Sequence, residues 1–388
     1  MEEASVIKNG MVITPSKTIE KGVVVFEDGK ITAVGQKNRV KVPRNAKVID
    51  ASGKIVAPGF VDIHVHGGNG RDIMDASYEA VKGIAKFLAS HGTTSFVPTT
   101  ISAPQSDLLR TVKAMKTAMK KGTDGAEVLG THLEGPYINL EKRGAHDANY
   151  IRLSSINEIA EIWEASDQAV KILTLAPELE GAKMLIRKLR ELGIVASIGH
   201  SNATYTQAVD AIKQGVRHAT HMFNRMRGFD PREPGVVGAV LVHDELTAEL
   251  ICDSIHVHPA AMSLLIRVKG SERVVLVTDA IRAAGMPDGE YALGEQRIIV
   301  KDGVSRLESG DFAGSTLTMD RAVRNMMRLV GTPLRTAVKM ATINPAVVIN
   351  VDENKGSLEP GKDADIVIFD DKINVHMTIV KGKIVYTI

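Results

Sequence analysis

At 388 residues, with 44% hydrophobic and 24% charged residues, the chain exceeds one ordinary core and reads as a globular protein with a large and a smaller domain. The formal net charge is only +2, and basic residues are scattered among acidic ones, as in MKTAMKKGTDGAE, which gives no reason to expect a nucleic-acid or anionic-membrane partner. No apolar run nears the ~20 residues that cross a bilayer, and the acidic start MEEASVIKNG lacks the basic-then-apolar order of a secretion leader, so a cytoplasmic location is expected.

The first segment, Ser5 to about Val56, predicts short strands in SVIKNGMVIT, GVVVFEDGKITAVG and KVIDASGKIVAPG. Asn9-Gly10 and Asp28-Gly29 have the chemistry of tight hairpin turns. The end of the chain has the same texture, in DADIVIFDD and INVHMTIVKGKIVYTI, with a turn near Lys381-Gly382. One small β-sandwich built from both termini, residues 1–56 and 349–388, accounts for this, with a larger domain over 57–348 inserted between them.

That middle alternates strand and helix patterns. Strands are expected at Val61–His66, Thr94–Thr100, Glu127–Glu134, Lys171–Pro177, Ile194–His200, Val216–Met222, Thr247–His256 and Arg273–Asp279. Amphipathic stretches such as SYEAVKGIAKFLASHG, INEIAEIWEAS, EGAKMLIRKLRELG and TYTQAVDAIKQG lie between, tending to stop at Gly. Eight β/α units predict a closed, TIM-like (β/α)8 barrel. The long irregular stretches Gly135–Leu153, Asn224–Gly235 and Ala280–Gly314 all follow strands, where barrel enzymes keep their substrate loops, and the last contains a candidate hairpin in YALGEQRIIVKDG.

Polar residues gather at the strand ends. Strand one finishes in Asp62-Ile-His64-Val-His66, and strand alternation sends His64 and His66 to one face, two residues apart, where they can grip a cation. Strand three finishes at Glu134, strand five at His200, strand six at His221 and strand eight at Asp279. A lone strand-end histidine is ordinarily structural, Asp279 could cap the following segment and Glu134 could be a helix-capping anion. Five such ends on eight strands nevertheless describe a site, and the Gly-Pro after Glu134 argues against an immediate helix. A lone cysteine, Cys252, leaves no intrachain disulfide and no Cys-rich metal site, so histidines and carboxylates must hold any metal. His91 fits a last helical turn, His132 and His218 fit buried hydrogen-bonded strand positions, and GGNG at Gly67–Gly70 lacks the context of a dinucleotide fingerprint.

The motifs VDIHVHGG, THLEGP, IGHSNA, THMFNRM, REPG and VTDA, with the ending GSLEPGKDADIVIFD, resemble the amidohydrolase superfamily and, more narrowly, its N-acetylglucosamine-6-phosphate deacetylases, over essentially the full chain. The resemblance implies that Glu134, His200 and His221 bind one divalent metal. It also implies that His64 and His66 bind a second, with Glu134 shared. One or two metals per subunit are expected, zinc or iron first and manganese or cobalt as alternatives.

The same resemblance makes Asp279 the residue that takes a proton from the attacking water and returns it to the leaving amine, and His146 the donor that polarises the acetyl carbonyl. It assigns substrate contacts to Ala145, His146, Asn224, Arg225, Arg232, His256, Phe312, Ala313 and Gly314. The phosphate falls to Arg232 and His256, partly across a homodimer interface, with a small amino-sugar phosphate as the partner molecule. Some relatives carry Asn-Ala where this chain has Asn224-Arg225, so the guanidinium either adds a phosphate contact or crowds the pocket. Two rival readings are another amidohydrolase, such as a cyclic-amide hydrolase or an N-acyl-amino-acid deacetylase, and a non-catalytic scaffold; loss of ligands, the usual mark of the latter, is not seen here.

Overall fold

The computed structural model describes residues 4–388. Eight parallel strands form its centre: β1 (Phe60–Val65), β2 (Thr93–Thr100), β3 (Thr131–Glu134), β4 (Val170–Leu175), β5 (Val195–Ile198), β6 (Val216–Ala219), β7 (Thr247–Ile251) and β8 (Val274–Val277). Each overlaps one of the eight expected windows. Nearly every residue of these strands is buried, because helices cover the outer face and side chains fill the inner one. The helices are α1 (Tyr78–Ser90), α2 (Gln105–Lys121), α3 (Ile156–Ala165), α4 (Ala182–Glu191), α5 (Tyr205–Gln214), α6 (Gly235–Val242), α7 (Pro259–Lys269) and α8 (Met319–Val330). Two short helices, α9 (Leu334–Met340) and α10 (Ile343–Val348), follow. Side-chain caps from Ser77, Ser155 and Thr204 start α1, α3 and α5, while α2, α5, α7 and α8 have a Gly as their C-cap.

Two details of the barrel differ from the sequence reading. The expected strand Glu127–Glu134 is broken: Glu127–Val128 pairs with β2, and the ladder resumes at Thr131 after Leu129-Gly130. At Gly130 φ is +150°, and a Cβ would lie 2.4 Å from the Ala169 carbonyl oxygen, so only glycine lets the segments pass this closely. The ring closes between β8 and β1 through a few bonds rather than a long ladder. The Asp279 amide donates to the His64 carbonyl (2.9 Å), the His66 amide to the Ala280 carbonyl (2.8 Å), and the Thr278 hydroxyl to the Asp62 carboxylate (2.5 Å).

The two ends of the chain form one mixed eight-stranded sheet. In order its strands are Lys383–Thr387, Val375–Val380, Ile366–Phe369, Ile55–Pro58, Ser5–Ile13, Thr18–Glu27 and Lys30–Gln36, with Lys47–Asp50 also paired to Ser5–Ile13. The expected sandwich thus takes the form of a single sheet curled on itself: Ile7, Val24 and Ile31 share a core with Leu358, Ile366 and Ile379, and the Ile31 amide donates to the Lys362 carbonyl. Asp28-Gly29 and Lys381-Gly382 are two-residue hairpin turns with positive φ at both positions, as expected. Asn9-Gly10 is not a turn. It forms a bulge inside Ser5–Ile13, where that strand passes from Lys47–Asp50 to Ile55–Pro58 and a Cβ on residue 10 would meet Val56 at 2.7 Å.

The candidate hairpin after β8 is a three-stranded meander, Gly289–Leu293, Gln296–Lys301 and Val304–Leu307. Its third strand, VSRL, is too short and mixed to announce itself locally. Among the described residues, no helix is long and apolar enough to cross a membrane.

Candidate metal centre and substrate cavity

The five candidate metal ligands and Asp279 converge at the C-terminal rim. His66 follows β1 directly, Glu134 ends β3, and His200, His221 and Asp279 each stand two residues beyond β5, β6 and β8. Those last three all have positive φ (47°, 29° and 48°), an uncommon backbone for residues other than glycine that turns each side chain from the strand direction into the barrel mouth. The turns are tied down by neighbours: the His221 amide donates to Glu249 Oε2 (2.9 Å), and the Asn139 amide donates to the His200 carbonyl (2.9 Å).

Glu134 lies at the middle. Its Oε1 is 3.1 Å from His200 Nε2 and 3.0 Å from His221 Nε2, and its Oε2 is 3.3 Å from both His66 Nε2 and His146 Nε2. Asp279 Oδ1 is 3.3 Å from His66 Nε2 and 3.6 Å from His64 Nε2. Two ligand groups result, Glu134–His200–His221 and His64–His66–Asp279, all buried.

The donor set fits a divalent cation. His66 Nδ1 faces the Thr99 carbonyl (3.2 Å), His200 Nδ1 the Lys142 carbonyl (2.8 Å) and His64 Nδ1 the Glu249 carboxylate (2.8 Å). Those oxygens only accept, so each Nδ1 carries the proton and each Nε2 presents a lone pair inward. Lone pairs 3.2 Å apart on His64 and His66 repel unless a cation lies between them.

The local field agrees. Burial alone would lower the pKa of His66, but the Asp279 and Glu134 carboxylates reverse this and lift it to about 9, the response of a site that lacks positive charge. Burial would also raise Glu134 and Asp279. Positive charge at the histidine Nε2 positions, His64 foremost, supplied by protons as it would be by a cation, outweighs it and holds both carboxyls below their ordinary range and ionised.

His146 differs from His64, His66 and His200. Its Nδ1 accepts from the Ser102 amide at 3.1 Å and lies 2.7 Å from the Ser102 hydroxyl, which places the proton on Nε2, facing the cavity. It is a donor among acceptors.

A cavity of about 320 Å³ opens over these groups. Of the expected substrate contacts, Ala145, His146, Asn224, Arg225, His256, Phe312 and Gly314 line it. Ala313 does not: it is fully buried against Ile281 and Ile298 beneath the loop. Nor does Arg232, whose side chain is 89% exposed beside Asp230 and outside this cavity. Arg225 does not stand free: its guanidinium bonds Asp311 at 2.8 Å and joins the loops after β6 and β8. His256 Nδ1 lies 2.6 Å from Asp253, and its ring lies 5.0 Å from that of Phe312.

Glu249 escaped the sequence reading. Fully buried in β7, it bonds His64, His218 and the His221 amide together. A carboxylate inside the apolar run TAELIC was the signal, because such a charge needs partners. Ser102, which sets His146, carried no such signal. His132 is structural as expected, bonded to the Ile63 carbonyl and Thr174, with burial pushing its pKa down to about 3. Cys252 is buried against Met262, and burial pushes its thiol pKa up.

This convergence of histidines and carboxylates on a barrel rim agrees with the wider comparison: residues 55–385 match the amidohydrolase family, and the chain belongs to it. It is 40% identical over 380 residues to the N-acetylglucosamine-6-phosphate deacetylase of Lysinibacillus sphaericus, covering 98% of this chain and 97% of that one. It is 38% identical to the N-acetylgalactosamine-6-phosphate deacetylase of Escherichia coli O157:H7, covering 98% of each. The N-acetyl-D-glucosamine-6-phosphate deacetylase of Mycobacterium smegmatis, solved as a mutant in complex with N-acetyl-D-glucosamine-6-phosphate, superposes with a TM-score of 0.93 at 33% identity, over 99% of this chain and 100% of that one.

Proposed function

We propose that this chain is a metal-dependent amide hydrolase of amino-sugar catabolism that converts N-acetyl-D-glucosamine 6-phosphate to D-glucosamine 6-phosphate and acetate. The observation that carries this reading is one cavity lined both by a histidine–carboxylate ligand set with Asp279 and by the cationic and polar groups Arg225, His256 and Asn224.

Glu134, His200 and His221 would hold one cation, and His64 and His66 a second that shares Glu134, with zinc or iron the leading candidates. A divalent cation supplies acidified water and polarisation of the carbonyl oxygen. Asp279, ionised and buried, takes the proton of the attacking water and delivers it to the departing sugar nitrogen. His146 Nε2–H donates to the carbonyl oxygen as negative charge grows there. Arg225 and His256 face the phosphate.

Arg232 would reach the phosphate of a second copy in a homodimer. The loop that carries it leads into α6, and exposed apolar residues flank this region: Phe229, Val242 at the end of α6, and Leu264 and Val268 on α7. Arg232→Ala should then raise KM for the phosphorylated sugar without lowering Tm. An unchanged KM removes Arg232 from the site. A phosphorylated substrate does not cross membranes unaided, which favours a cytoplasmic enzyme.

Acetate release tests the reading. The glucosamine 6-phosphate derivative should be cleaved far faster than unphosphorylated N-acetylglucosamine, and equal rates would defeat the phosphate assignment. The 4-epimeric galactosamine derivative belongs in the same assay because of the relative that bears its name; preference for it would transfer the reading to that sugar. Elemental analysis of anaerobically purified protein identifies the metal and its stoichiometry.

A further inference from the structure

The apolar residues that line the catalytic cavity fall into two groups. Phe223 and Met226 flank Arg225 after β6, Ile251 ends β7 ahead of His256, and Phe312, from the segment after β8, has its ring 5.0 Å from that of His256. Ile101, Ala145 and Leu293 stand apart, around His146: Ala145 precedes it in the chain, and Ile101 precedes Ser102, whose amide and hydroxyl set the His146 ring. These three also belong to one small apolar cluster of their own, with Ile281 and Ile298. Behind them is a second cavity of about 190 Å³, and the same three residues line it too. Ile101, Ala145 and Leu293 are therefore a partition one side chain thick between two chambers.

An N-acyl group held with its carbonyl oxygen at His146 and its sugar towards Arg225 and His256 must project its alkyl end away from the sugar. The apolar surface beside His146 is this partition. We propose that Ile101, Ala145 and Leu293 are the acyl-length filter of the enzyme: they seat the acetyl methyl group and exclude longer acyl chains, the more so because the chamber behind them is otherwise walled by charged and polar groups such as Asp107, Arg110 and Asp147. Leu293 is the part of the filter that comes from outside the barrel. It lies at the tip of the peripheral three-stranded meander, beside Gly294, where a Cβ would come 3.3 Å from Ile101. Ile101, by contrast, directly follows β2 of the barrel, and Ala145 lies in the long loop after β3.

The inference rests on the deacetylase reading, and one assay separates the two. The enzyme and its Leu293→Ala variant are each given N-acetyl-, N-propionyl- and N-butyrylglucosamine 6-phosphate, and release of the corresponding acid is followed. The unaltered enzyme should lose activity steeply with each added methylene, on the order of tenfold per step. Leu293→Ala should raise the butyryl-to-acetyl ratio of kcat/KM by at least about tenfold, by a gain on the butyryl substrate. Ile101→Val, which removes one methylene and spares the fold, should raise the propionyl-to-acetyl ratio and serves if Leu293→Ala does not fold.

Ile298→Ala loosens the same cluster but lines neither chamber, so it should leave both ratios unchanged. Ratios unmoved by Leu293→Ala or Ile101→Val, or moved as much by Ile298→Ala, overturn the filter. Failure of the unaltered enzyme to release acetate strikes the deacetylase reading instead.

Discussion

Glu249 illustrates how this site is built at the scale of single residues. One buried carboxylate fixes the tautomer of His64, orients His218 and receives the His221 amide, so a group that need touch no cation governs two that face it. Replacing it with Gln should weaken metal binding by about 10–100-fold, with activity recovering as metal is added; unchanged affinity in a metal titration would mean His64 and His221 hold their positions without it. Asp279 should behave oppositely. Asp279→Asn is expected to lower kcat by on the order of 10²–10⁴ while metal content, by elemental analysis, stays near normal. Retention of most turnover would take Asp279 out of proton transfer. The His-x-His pair and Asp279 were legible because strand alternation and strand ends are local properties. Glu249 was visible only as an anomaly, and Ser102 not at all, because its partner lies 44 residues away.

Among the elements, the barrel strands were easiest to read, since burial on both faces leaves a continuous apolar run bounded by helix caps and glycines. Reading failed where a contact distant in sequence reshapes a local pattern. Asn9-Gly10 has hairpin chemistry but sits where one strand changes partners, and strand three breaks at Gly130 because the Ala169 carbonyl passes there. Gly130→Ala should therefore cost about 1–3 kcal/mol from backbone strain alone, and more from the clash, seen as a fall in Tm. An unshifted Tm would show that the β3–β4 junction relaxes freely. The meander after β8 is the element most separable from the barrel, yet it carries Leu293 into the cavity wall and precedes Asp311, the partner of Arg225.

For the whole molecule, the sheet packs on the barrel through apolar side chains such as Phe369 against Phe60, and a charge cluster adds to that contact. Lys355 is bonded to Asp365 (2.7 Å), Asp363 (2.9 Å) and Glu127, tying the C-terminal strands to the segment that leads into β3. Removing Lys355 leaves the buried Asp365 without a cation, while Asp363 keeps Lys30 and Glu127 keeps Lys381, so Lys355→Met should destabilise by about 3–5 kcal/mol in denaturant titration. At temperatures well below its Tm the variant should keep an unchanged kcat/KM, because the cluster lies at the end of the barrel away from the ligands. A large loss of kcat/KM in the folded variant would show that sheet and site are coupled.

By itself the sequence determined the eight β/α units, the pairing of the two termini into one small β region, and the strand-end residues that meet at the rim. Periodicity, caps and turn chemistry are written into neighbouring residues and survive without coordinates. Only the tertiary structure decided that His146 is a donor while His64, His66 and His200 present lone pairs, that Arg225 is held by Asp311, that Arg232 and Ala313 lie off the cavity, and that three apolar side chains divide two chambers. Each of these depends on which atoms, far apart in the chain, come within a few ångströms, and close packing settles that where local pattern does not.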